Sequence, residues 1–194
     1  MFPAKNYTAA ALLRRRGLEE VNRTPAGKAL AHPAPRAPRI FADTADIDAI
    51  RTLYEAGIVN GVTTNPTHVS KTGRPAREVY EDICRMVQGP VSLETVSLEA
   101  DQIVAEGRQL AKIADNVVVK VPIMREGLKA VKRLAAEGIR SNVTVTFSPL
   151  QAMLAAKCGA AYISPFVGRL DAVAHDGMQL VAEIKTIYDN YDFP

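Results

Sequence analysis

At 194 residues, with 47% hydrophobic and 23% charged positions, the chain is long enough for one ordinary domain with a substantial core. No run approaches the roughly 18 apolar residues of a membrane-spanning helix, and two cysteines, Cys84 and Cys158, exclude a disulfide scaffold and fit small core residues in a reducing, cytoplasmic compartment. The formal charge of +3 is uneven: residues 1–39 carry eight Lys/Arg against Glu19 and Glu20, so the remainder stands at −3 and offers no basic face for nucleic acid.

In chain order, residues 1–38 form a Pro/Arg/Ala-rich leader that ends in "HPAPRAP", where Pro33, Pro35 and Pro38 forbid regular structure. It reads as a start upstream of the native one or as a flexible extension. An Arg-rich targeting peptide fits less well, because the segment has no serine and two adjacent acids. Residues 39–194 alternate short apolar runs with amphipathic stretches: "RIFAD" then 44–57, "GVTT" then 75–88, "VSLET" then 99–114. The rhythm continues with "VVVKV" then 125–138, "NVTVT" then 148–158, and "AYISPF" then 174–190. Runs of four to six residues rich in Val, Ile and Thr suit buried strands; Ile103, Leu110 and Ile113 recur at helical spacing. Gly57, Gly138 and Gly159 each close a helical run.

Strict alternation predicts an α/β fold with a parallel sheet. A doubly wound nucleotide binder should carry a Gly-rich turn after its first strand, but here "DTADIDAI" follows. Polar residues instead sit at or near the C-terminal ends of many strands: Asp43, Asn65, Glu94, Lys120, Asn142, Thr144 and Ser164. Chemistry gathered at one mouth is how a (β/α)8 barrel is built. With about six β/α units and no seventh strand after "IYDNYDFP", the expectation is an incomplete (β/α)8 TIM barrel with strands one and six as unpaired edges.

Lys120 stands in the most apolar run, "NVVVKVP". An ammonium buried there without compensation would tend to lose its proton, and a dry neutral amine can form a Schiff base with a carbonyl. Asp43 and Glu94, on neighbouring strand ends, could move the protons such chemistry requires; otherwise Asp43 is a helix N-cap and Glu94 a solvated strand end. His32, His68 and His175 are scattered, without partners at metal-ligand spacing, and no metal is expected.

"FADTAD", "GVTTNP", "VSLETVSLE", "VVVKVP", "EGIRSNVTVTFSPLQA" and "ISPFVGRLDA" together resemble successive motifs of the transaldolase family, in its short bacterial and archaeal form. The resemblance covers roughly residues 39–192. It implies a class I, Schiff-base transfer of a dihydroxyacetone unit between sugar phosphates in the pentose phosphate pathway, with no cofactor. By that resemblance Lys120 forms the Schiff base, Asp43 is the acid/base at the broken bond, and Glu94 moves protons through a water held by Thr144. Asn65 and Asn142 bind substrate hydroxyls or position the lysine, and Ser164 and Arg169 belong to the sixth strand, the arginine gripping phosphate. A guanidinium suits that task through bidentate hydrogen bonds.

Three other readings remain. Related fructose 6-phosphate aldolases tend to carry glutamine at the position of Glu94. A non-catalytic remnant, truncated or split, would need a complementing C-terminal fragment to close its barrel; the resemblance itself implies a homo-oligomer. A deoxyribose-phosphate-type aldolase would use a different lysine arrangement, and "TTNP" and "SPFVGR" speak against it.

Overall fold

The computed structural model describes residues 38–193, so the expectations for the leader lie, Pro38 apart, outside the described residues. Six strands follow in chain order: β1 (Phe41–Asp43), β2 (Gly61–Thr63), β3 (Val91–Glu94), β4 (Val117–Pro122), β5 (Ser141–Thr146) and β6 (Tyr162–Pro165). Each pairs in parallel with its sequence neighbours, in the order β1-β2-β3-β4-β5-β6. Eight helices are found among the described residues: α1 (Ile47–Glu55), α2 (Pro66–Lys71), α3 (Ala76–Met86), α4 (Ala100–Ala111), α5 (Arg125–Ala136), α6 (Pro149–Lys157), α7 (Val167–Asp171) and α8 (Gly177–Asn190). The architecture is an incomplete (β/α) barrel.

Two short helices, α2 and α7, went unpredicted. Each follows directly on a strand end that carries site residues, and each is too brief to show a helical period. Helix α1 begins three residues later than expected because Asp46, not Asp43 or Thr44, caps it: Asp46 Oδ1 accepts the N–H groups of Asp48 and Ala49 at 3.0 and 3.1 Å. Asp43 is therefore released from the capping role that was its ordinary alternative. At the far ends of α1 and α5 the chain reverses through Gly57 and Gly138, at φ +70° and +74°, a region that side chains with a Cβ seldom adopt.

β4 is buried along five of its six residues. Its outward valines, Val119 and Val121, pack with Ile103, Val104, Val131 and Leu134, all essentially inaccessible. A second cluster backs β2 and β3, with Val62, Val91 and Leu93 against Ile50, Val79 and Ile83. Each such side chain contributes roughly 1.5–3 kcal/mol on burial, which holds the strand frame to its helices. β1 and β6 end the hydrogen-bonded order, as expected, yet the sheet is rolled until Phe41 and Tyr162 meet edge to face, with ring centroids 6.0 Å apart. No helix among the described residues is long and apolar enough to cross a membrane.

Candidate active site

Register places Glu94 opposite Lys120 and Lys120 opposite Asn142, so β3, β4 and β5 present one row of polar groups. Because side chains alternate along a strand, the residues flanking Lys120 pack outward against helices while Lys120 itself turns inward. It is only 6% exposed. Its amine is not left uncompensated. Lys120 Nζ lies 3.1 Å from Glu94 Oε2 and donates to the Thr64 carbonyl at 3.0 Å. The carboxylate and carbonyl offset the desolvation that four valines would otherwise impose. Thr95 fastens the other end of the same residue, with its N–H and hydroxyl both donating to the Lys120 carbonyl, at 3.0 and 3.3 Å.

Asn142 is likewise committed at both ends of its amide. Its nitrogen donates to Ser92 Oγ at 3.1 Å and its oxygen accepts from Ser164 Oγ at 2.9 Å, which ties β3, β5 and β6 together. Two residues further along β5, the buried Thr144 hydroxyl has no hydrogen-bond partner among the described residues. β5 bulges just beyond it, three residues advancing against two on β6. Val145 takes up the slack at φ 63°, a left-handed conformation that is strained for a β-branched side chain.

Asp43 sits at the end of β1, 65% exposed, and accepts from Thr63 Oγ1 at 2.8 Å. Its second neighbour is His68 Nδ1 at 3.9 Å rather than Lys120. Asn65 caps α2, its side-chain oxygen accepting from the His68 N–H at 2.8 Å. Arg169 lies exposed on α7. Seven of the eight expected residues line one cleft of about 950 Å³: Asp43, Asn65, Glu94, Lys120, Thr144, Ser164 and Arg169. The eighth, Asn142, stands behind Ser164. A neighbouring cleft of about 540 Å³, between α1 and α2, holds none of them.

Sequence reasoning missed Thr63, Thr64, Ser92, Thr95 and His68. The hydroxyls are ordinary strand residues whose partners emerge only from register. In the sequence His68 stands out only as a possible metal ligand, yet a histidine in the first turn of a helix capped by a site asparagine is itself a signal. Together the cleft offers an amine beside a carboxylate, a second, exposed carboxylate, a hydroxyl and a guanidinium.

The family model for Transaldolase/Fructose-6-phosphate aldolase matches residues 40–194. The chain belongs to this family. A "Probable transaldolase" of Aquifex aeolicus is 59% identical over 155 residues, covering 80% of this chain and 71% of that protein. One from Jannaschia sp. is 60% identical over the same length and shares. Among solved structures, a mandelate oxidase variant superposes with a TM-score of 0.53 at 14% identity, over 80% of this chain and 59% of its own. That likeness carries the barrel fold alone.

Proposed function

We propose that the chain is a transaldolase that moves a dihydroxyacetone unit between sugar phosphates through a Schiff base on Lys120. The observation that carries this reading is the buried Lys120–Glu94 pair facing a cleft that also holds Asp43 and Arg169. Passing a proton from the ammonium to Glu94 leaves a neutral amine, which adds to the ketose carbonyl; the carbinolamine then loses water to give an iminium. The iminium accepts the electron pair of the breaking carbon–carbon bond while Asp43 takes the proton of the adjacent hydroxyl. Arg169 holds the phosphate, and Thr144 offers its hydroxyl to a water or substrate oxygen. Reprotonation and addition to an aldose phosphate reverse the sequence, in keeping with a place in the pentose phosphate pathway. Glutamate rather than glutamine at position 94 favours transaldolase over fructose 6-phosphate aldolase.

The test is borohydride reduction in the presence of fructose 6-phosphate, read by intact mass and peptide mapping. A single substrate-sized adduct on Lys120 is expected, with Glu94→Gln slowing its formation about 10²-fold or more. Adducts spread over surface lysines, or none, would remove the catalytic reading.

A further inference from the structure

His68 is half-buried on α2 and lines both clefts. Because Asn65 Oδ1 accepts the His68 backbone N–H, the other end of that amide, its nitrogen, is the atom 3.2 Å from His68 Nδ1. An amide nitrogen only donates, so Nδ1 accepts and the neutral ring carries its hydrogen on Nε2. The same Nδ1 lies 3.9 Å from Asp43 Oδ1, whose other contact is the Thr63 hydroxyl. One ring atom thus faces an amide donor on one side and a carboxylate on the other.

We infer that His68 is a positioning residue whose Nδ1 alternates between Asn65 and Asp43. Unprotonated, it accepts from the Asn65 amide, fixes that side chain and leaves Asp43 free. When Nδ1 takes a proton from solvent it can no longer accept; it releases Asn65 and donates to Asp43, locking the carboxylate in an ion pair. The charged groups that share the two clefts with His68 come from several elements. Asp46, Asp48, Lys71 and Arg74 line the smaller cleft; Asp43, Glu94, Lys120 and Arg169 line the larger. Of these, Asp43 lies within reach of Nδ1, at 3.9 Å. The turnover arm of the test rests on the functional reading above; the geometric arm does not.

Nitrogen NMR on the full chain labelled in histidine and asparagine, with the His68 signals assigned through H68Q, reads the geometry directly. At pH 8 the ring should carry hydrogen on Nε2, and on acidification the Asn65 side-chain amide should shift together with it. A proton on Nδ1 at pH 8, or an Asn65 amide indifferent to the ring, would overturn the inference. In the kinetic arm, wild-type kcat/KM should fall at least ~10-fold from pH 8 to 5.5, whereas the fall in H68Q, whose amide does not titrate, should stay within about 3-fold. Equal falls in both proteins would also overturn it. A missing Lys120 adduct would remove the functional reading and leave the NMR result to decide this one.

Discussion

Lys120 and Glu94 stabilise each other only as a pair. Glu94→Leu leaves the ammonium with the Thr64 carbonyl alone, and a loss of about 3–5 kcal/mol is expected. Lys120→Met together with Glu94→Leu should recover much of that loss, read as the urea midpoint of each variant. A double variant less stable than Glu94→Leu would mean that the pair is not where the energy lies. Cys84 gives a second prediction. Burial pushes its thiol from 9.0 up to about 11, so native Cys84 should resist alkylation at pH 8 while the partly buried Cys158 reacts first. Since the unfolded thiol ionises at lower pH than the folded one, this residue's contribution to stability is complete below about 9 and is lost as pH rises toward 11. Lys120 was legible in the sequence because a charge among valines contradicts the local pattern, and Glu94 because it ends a neighbouring strand. The amide of Asn142 was not: which of its atoms meets Ser92 and which Ser164 is decided by register across β3, β5 and β6.

Among the elements, β5 and the α4–α5 pair are open to test. At φ 63°, Val145 stores strain of roughly 1–3 kcal/mol, against which glycine's greater freedom when unfolded weighs about 0.5–1 kcal/mol. Val145→Gly should therefore hold or raise the urea midpoint. A drop of more than about 1 kcal/mol would mean that the packing of the valine outweighs its strain. Helices α4 and α5 are cross-braced by Arg108, which donates twice to Glu137 at 2.7 Å, and by Arg133, which donates to Asp101 at 2.6 Å. Hydrogen bonds from the arginines hold both carboxyls below their usual values of 4.5 and 3.8. Their contribution is thus fully present above pH 4.5 and fades as pH falls through the lowered folded values. The midpoint difference between pH 7 and pH 3 should shrink when Arg108 and Arg133 are both replaced by alanine. Helices of nine residues or more were visible in advance from their spacing. The bulge and the short α2 and α7 were not, because a one-residue shift or a single turn leaves no period to read.

At the scale of the whole molecule, the alternation of strands and helices and the polar strand ends were enough to anticipate the barrel. What they could not convey is how far the sheet rolls, far enough to bring the rings of Phe41 and Tyr162 together across 121 residues of chain. The strand order itself has a consequence in time. Every strand pairs with the one before it, with register partners such as Phe41–Gly61 and Val91–Val117 only 20 and 26 residues apart, so each unit has its template as soon as it is made. Two of the bonds around the cleft reach further: 50 residues from Asn142 to Ser92 and 56 from Lys120 to Thr64. Closing those larger loops comes at a higher entropic cost. The frame should therefore assemble first and the cleft close on it last, so that Asn142→Ala speeds unfolding while scarcely slowing refolding.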